Sequence, residues 1–186
     1  MDKKPRFYAG IDTGNNGGLY VIDSEGTPVL RSLIPKKKLY AHKKLSGMKN
    51  KMVVDYPALR KVIDSFEEFS NDIVVGLEDV HSLYGMSAKS NFSFGLIKGV
   101  KMGILESSPY TYYLITPKKW QAEIWQPQDY VRDDKGKNIT KETALKAAYR
   151  IYGDIDFTGS LRARKPHDGI VDAALIAEYC RRIYNN

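Results

Sequence analysis

The segment His167–Cys180, "HDGIVDAALIAEYC", constrains the fold more than any other part of the 186-residue chain. Ile170, Val171, Ala173, Ala174, Leu175, Ile176 and Ala177 make a helix that is apolar nearly all the way round, and such a helix has to be buried. Asp172 lies inside that stretch. An unpartnered carboxylate there would carry a heavy desolvation cost, whereas a divalent cation satisfies several carboxylates at once. Asp168 shares the helix face with Asp172, and like charges at that spacing cost roughly 0.2–0.5 kcal/mol on an isolated helix. Asp168 also reads as an N-cap.

At the other end of the chain, "FYAGIDTGNNGGLYVID" reads as two strands joined by a Gly-rich turn, with Asp12 where the first strand ends. Such a turn either cradles a phosphate through its amides or offers Asp12 to a metal ion. Strand patterns cover Arg6–Asp12, Gly18–Asp23 and Pro28–Ile34, and "SEG" before Thr27 suits a hairpin loop. "DYPALRKVIDSFEEF" repeats apolar residues at helical spacing, and "NDIVVGLE" is short, apolar and β-branched like a buried parallel strand. Further helices are predicted over Ser87–Glu106, Thr140–Tyr152 and Asp168–Ile183, with a strand at "YTYYLIT" and a polar loop over Gln126–Asn138. The order βββαβαβαα predicts a single α/β domain over residues 1–186, with one mixed five-stranded sheet covered by helices. Asp12 and Glu78 each close a strand, so if those strands are parallel neighbours both carboxylates leave the same carboxyl edge of the sheet.

Charge is unevenly spread. Between Gly26 and Val54 there is no acidic residue, while Arg31, Lys36, Lys37, Lys38, Lys43, Lys44, Lys49 and Lys51 are basic. They account for the whole formal excess of +7, since the remaining 21 of 29 basic residues face 22 acidic ones. A Lys-rich loop at about 35–54 is therefore expected to contact nucleic acid. No run of about 18 apolar residues is present, and "MDKKPR" leads straight into a strand, so a soluble, unexported, cytoplasmic protein is expected. The lone Cys180 excludes a disulfide framework or a cysteine zinc site and reads as core filler. Four carboxylates without a cysteine cluster favour a hard, oxygen-ligated ion, Mg²⁺ or its substitute Mn²⁺. In two-metal phosphodiester cleavage, ions about 3.5–4 Å apart activate a water and stabilise the leaving oxygen. Gly14, Gly17 and Gly18 are expected to let the hairpin turn sharply and a DNA backbone approach.

"GIDTGNNGG", "GLEDV", "MSAKSNFSFGLIKGVKMGIL", "YLITPKKW" and "HDGIVDAALIAEY", in this order and spacing, resemble the RuvC-type Holliday-junction resolvases, particularly their phage-borne branch. The resemblance runs from Gly10 to Arg181. It implies an RNase H-like fold, a homodimer, and Mg²⁺-dependent paired nicking of four-way DNA junctions in a bacterial or phage-infected cell, with two ions per site. It makes Asp12, Glu78, Asp168 and Asp172 the metal ligands, and His167 a ligand, a general base or a residue behind the ligands. Many bacterial members place the last two acidic residues three apart, where this chain has Gly169 at the shorter spacing. Where the family often carries an aromatic residue after the glutamate, this chain has His81 and Tyr84.

Ser87, Lys89, Ser90 and Asn91 are expected phosphate contacts, with Lys118, Lys119, Arg162, Arg164 and Lys165 flanking the same edge. Phe92 and Phe94 are expected in the core. Gly95, Gly99 and Gly103 form a smooth stripe that meets either the chain's own sheet or a partner helix. Two competing readings remain within reach of the sequence: a related nuclease for flap or other branched DNA or RNA–DNA hybrids, and an actin-like nucleotide site. The second needs another similar domain, and no internal repeat supplies one. A DNA-binding module without catalysis would leave the buried Asp172 unexplained.

Overall fold

The computed structural model describes residues 6–39, 51–69, 72–80, 87–160 and 162–185. Three antiparallel strands, β1 (Phe7–Ile11), β2 (Gly18–Asp23) and β3 (Pro28–Leu33), open the chain. They join β6 (Ile73–Glu78) and β7 (Thr111–Ile115), both running parallel to β1, in one sheet of order β3-β2-β1-β6-β7.

Period-two alternation splits the sheet cleanly between two cores. Ala9, Ile11, Leu19, Val21, Ile73, Val75 and Leu77 face α1 (Tyr56–Asp64) and α2 (Ala88–Glu106). Tyr8, Tyr20, Ile22 and Val74 face the opposite way, against α3 (Pro117–Ile124), α4 (Thr140–Tyr152) and α5 (Asp168–Tyr184). The expected mixed five-stranded sheet with helices on both faces is present, and Cys180 is buried in the second core.

Three features depart from the sequence reading. The Lys-rich segment is not wholly a loop: β4 (Lys36–Leu39) pairs antiparallel with β5 (Lys51–Val54) as a separate hairpin, while Lys43, Lys44 and Lys49 lie outside the described residues. Helix α3 follows β7 directly, started by Pro117, whose missing N–H costs nothing in a first helical turn. The predicted first helix stops at Asp64 and continues to Phe69 as a tighter 3₁₀ turn.

Helix α5 lies on the backbones of the strands rather than on their side chains. A Cβ added at Gly10 of β1 would sit 1.9 Å from the Ala173 carbonyl oxygen, and one at Gly76 of β6 would sit 2.6 Å from Cys180 Sγ. At the N-terminal end of the helix, Gly18 and Gly169 face each other, each leaving a Cβ no closer than 2.6 Å to a backbone oxygen of the other segment. None of the three glycines in the first turn has a positive φ; a Cβ at Gly17 would sit 2.4 Å from the Asp12 carbonyl oxygen, so its missing side chain lets the turn close sharply as expected, while Gly18 serves the approach of α5.

Gly10→Ala should therefore push α5 off the sheet. The expected loss is about 1–3 kcal/mol or more, lowering the melting temperature by several degrees. A melting temperature equal to wild type would contradict this packing.

Candidate active site

Strand β1 ends at Ile11, level with Leu77 of its parallel neighbour β6, so Asp12 and Glu78 leave the same sheet edge side by side. The alternation that turns Tyr8 and Gly10 toward α5 also turns Gly76 and Glu78 that way. Asp172, in the second turn of α5, comes over the same edge because Gly10, Gly18 and Gly169 let the helix descend.

Asp12 is held by its own turn. Its Oδ1 accepts a hydrogen bond from the Gly14 N–H at 2.8 Å, and Gly17 N–H donates to the Gly14 carbonyl at 2.9 Å. The amides of both Gly14 and Gly17 are thus committed to the turn itself, which favours a metal-ligand reading of the opening stretch over a phosphate cradle.

Glu78 is only 8% exposed and accepts a 3.2 Å bond from Trp120 Nε1. Burial, and then the charges of Asp12 and Asp172, hold its carboxyl well above the usual carboxylate range; the Trp120 bond opposes this and a hydrogen bond shared with Asp12 adds to it. Burial likewise pushes Asp172 up to about 7, helped by the charges of Asp12 and Asp168. Three mutually repelling, poorly solvated carboxylates are the condition in which a cation is most strongly favoured.

Asp168 stands apart from that trio. It is the first residue of α5 and not its N-cap, and its Oδ2 is 2.5 Å from Lys141 Nζ of α4, with both side chains largely exposed. The cap position belongs to His167, whose side chain makes no capping bond. The His167 carbonyl instead accepts the Ile170 and Val171 N–H groups, and its own N–H donates to the Phe157 carbonyl. Its buried Nδ1 has no partner among the described residues. A cavity of about 370 Å³ joins His167 to Asp12, Gly14, Asn16, Lys141 and Asp168.

All ligand candidates at this edge are oxygens apart from His167, so the donor set fits a hard cation in charge and type. Among the described residues no three His, Cys, Asp or Glu side chains are grouped so that they could hold a metal ion as they stand, and Asp168 is engaged by Lys141 instead.

Two basic residues at this edge escaped the sequence reading. Lys141 was hidden because it opens an ordinary amphipathic helix. Lys101 of α2 is 0% exposed, and its Nζ donates to the Asp12 carbonyl at 2.8 Å and toward that of Gly14 at 3.4 Å. Its signal was present: Ile97, Lys101, Ile104 and Leu105 are the buried stripe of α2, and a lysine occupies one position of it.

The expected DNA-contacting residues are spread around this edge. Lys36, Lys37 and Lys38 are exposed on the hairpin, where Lys36 bonds the Asn16 side chain beside the Asp12 turn and Lys37 pairs with Asp55 at 3.4 Å. Ser87 caps α2 by accepting the Ser90 N–H at 3.2 Å, so these two serines already serve the helix start. Lys89, Lys118, Lys119, Arg162, Arg164 and Lys165 are exposed, and Asn91 is half-buried. Phe92, expected in the core, is instead 73% exposed, while Phe94 is half-buried. Among the described residues nothing lies within 4 Å of a Cβ added at Gly95, Gly99 or Gly103, so the stripe does not pack against the chain's own sheet. His81 and Tyr84 lie outside the described residues.

The sheet order, the two helical layers and the acidic edge define an RNase H-like fold. Among solved structures it is similar to the Thermus thermophilus RuvC in complex with Holliday junction substrate, with a TM-score of 0.53 and 14% identity over 96% of both chains. A second Thermus thermophilus RuvC structure matches with a TM-score of 0.52 and 16% identity over 95% of this chain and 96% of that one. No family model matches the sequence, and no curated protein does. No helix among the described residues is long and apolar enough to cross a membrane.

The raised carboxyls predict how the metal-free protein responds to pH. Folded Asp172 keeps its proton up to about 7, whereas an unfolded aspartate releases it near 4, so the folded state binds more protons across that window. Stability in EDTA should fall as pH rises from about 4 to about 7, and Glu78 adds to the same slope. Asp172→Asn should flatten the decline and melt above wild type at pH 8. Thermal melts of both proteins at pH 5 to 8 test this; parallel curves would remove Asp172 from the repelling trio.

Proposed function

We propose that this chain is a divalent-metal-dependent endodeoxyribonuclease that resolves four-way DNA junctions by paired nicks. The observation that carries the reading is the convergence of Asp12, Glu78 and Asp172 at the carboxyl edge of an RNase H-like sheet, in a chain whose structural neighbour was solved on a Holliday junction. Asp12, Glu78, Asp172 and Asp168 would hold Mg²⁺, two ions per site, with Mn²⁺ as a substitute. Bound there, such ions supply an activated water and charge stabilisation of the leaving oxygen.

The chain's own residues account for the rest. Trp120 fixes the orientation of Glu78, and the Gly14 amide fixes that of Asp12. Lys141 lies close enough to exchange Asp168 for a substrate phosphate when the carboxylate turns to a cation. His167 acts from behind the ligands: it lines the cavity, and its buried Nδ1 has no partner among the described residues. The hairpin lysines, Lys36 to Lys38, grip phosphates on one side, and Lys43 and Lys44, which follow in the sequence, are assigned to phosphate contact with them. Lys89 with Ser87, Ser90 and Asn91, Lys118 with Lys119, and Arg164 with Lys165 do so on the others.

A four-way junction has approximate two-fold symmetry, and one chain carries one acidic site, so a C₂ homodimer is the simplest assembly that delivers two nicks. The outward stripe of α2, with Phe92 and Leu96 exposed beside Gly95, Gly99 and Gly103, is the face assigned to that contact. Such an enzyme acts in the cytoplasm of a bacterial or phage-infected cell, where recombining DNA is found.

The deciding experiment offers labelled four-way junction, flap and RNA–DNA hybrid substrates to the protein with Mg²⁺, and counts chains on the junction by light scattering. Two symmetric nicks by two chains are expected, reduced to background by Asp12→Asn, Glu78→Gln or Asp172→Asn while junction binding persists. Preferential cleavage of flap or hybrid would replace the junction reading with the related-nuclease one. One chain per junction making both incisions would remove the dimer.

Neutralising Lys36, Lys37 and Lys38 together should weaken DNA binding and lower the slope of log affinity against log salt by about 0.9 for each phosphate that is no longer neutralised. An unchanged slope would take the hairpin off the DNA.

A further inference from the structure

Lys101 takes no part in the cation and phosphate binding proposed for this edge, yet its placement is costly. A charged side chain with no exposure is destabilising by several kcal/mol unless its partners repay it, and a leucine would fill the same position of the α2 stripe at no such cost. Its partners are not the carboxylates themselves. Nζ donates to the main-chain carbonyl of Asp12 at 2.8 Å and toward that of Gly14 at 3.4 Å, the two carbonyls on either side of fully buried Thr13.

Helix α2 packs against Ile11 and Leu19, on the face of the sheet away from α5. Lys101 therefore reaches the Asp12 turn from behind, while Asp172 meets Asp12 from in front. Asp12 is then fixed at two points: its carboxylate by the Gly14 amide at 2.8 Å, and its main chain by Lys101. The ammonium also lies within the fields of Asp12 and Glu78, which favour its charged form against the burial that brings its pKa down to about 8. Because it is sealed from solvent, it cannot touch a DNA phosphate, which separates it from the exposed lysines around this edge.

We propose that Lys101 is a positioning residue, whose buried ammonium locks the Asp12–Gly14 turn from the face opposite α5 and so sets how Asp12 presents its carboxylate to a divalent cation. The inference rests on the cation-binding reading of the acidic edge. Residues that orient metal ligands from behind typically change metal affinity by about 10–100-fold when removed.

The test is calorimetric titration of Mn²⁺ and Mg²⁺ into DNA-free wild type and Lys101→Met, which keeps the volume and loses the donor and the charge. Affinity should fall at least about tenfold in the variant, and kcat for nicking should fall with KM for DNA nearly unchanged. Equal affinities would reduce Lys101 to packing, and tighter binding would make it a charge that repels the ion; either overturns the proposal. A wild type that binds no divalent cation would instead overturn the cation-site reading, which the variant comparison alone cannot do. Should Lys101→Met fail to fold, wild type carrying ¹⁵N in its lysine side chains decides: the slowly exchanging ammonium signal of a sealed lysine must shift as Mg²⁺ is added, and a signal that stays put overturns the proposal.

Discussion

The contact on which everything else depends is the descent of α5 onto the bare backbones of β1, β2 and β6. Helices ordinarily stand off a sheet by the length of two side chains, and here Gly10, Gly18 and Gly76 remove one of them. Ala173 and Ala177, small residues themselves, meet Gly10 directly. That approach lowers Asp172 to the level where Asp12 and Glu78 leave the sheet. Any side chain at Gly10 would lift the helix and with it one of the three carboxylates, so packing and chemistry share the same residues.

What the packing brings together, electrostatics drives apart. Burial and mutual repulsion hold the carboxyls of Glu78 and Asp172 above their ordinary range, a cost the fold carries in the absence of a cation. The cost is tempered from several directions: Trp120 donates to Glu78 from α3, Lys101 approaches from beneath on α2, and Lys141 draws off Asp168 from α4. Each of these helices thus contributes one donor to the acidic edge as well as its share of core. Stability given up at such an edge is recovered where the two cores close over the rest of the sheet.

The legible parts of the sequence were those in which local pattern and tertiary role agree. The short apolar strand runs of β1, β2 and β6 and the apolar wrap of α5 marked which residues lie inside, and α4 spans Thr140–Tyr152 as its pattern predicts. Helix α3 was missed because only Trp120 and Ile124 of its eight residues are buried, too few to register as a period. The β4–β5 hairpin was missed because consecutive lysines carry no alternation; its strands form by pairing across a long intervening segment. Phe92 was misplaced for the opposite reason, since hydrophobicity alone does not say which side of a helix faces the sheet.

The sequence by itself determined the identity of the acidic residues and the strands and helix that carry them, because the burial demanded by "GIVDAALIA" and by "IVVGLE" leaves a carboxylate there no ordinary place. Only the tertiary structure decided how those residues divide. The charges of Asp12 and Asp172 bear on buried Glu78, while Asp168 is turned outward to Lys141 and His167 takes the cap. It also revealed the role of Lys101, whose place in the apolar stripe of α2 acquires its partners only when that helix is docked. The reason is physical: a side chain's charge is written in the sequence, but its field depends on distance and on exclusion of water, and both exist only once helices from distant parts of the chain have closed on one edge of the sheet.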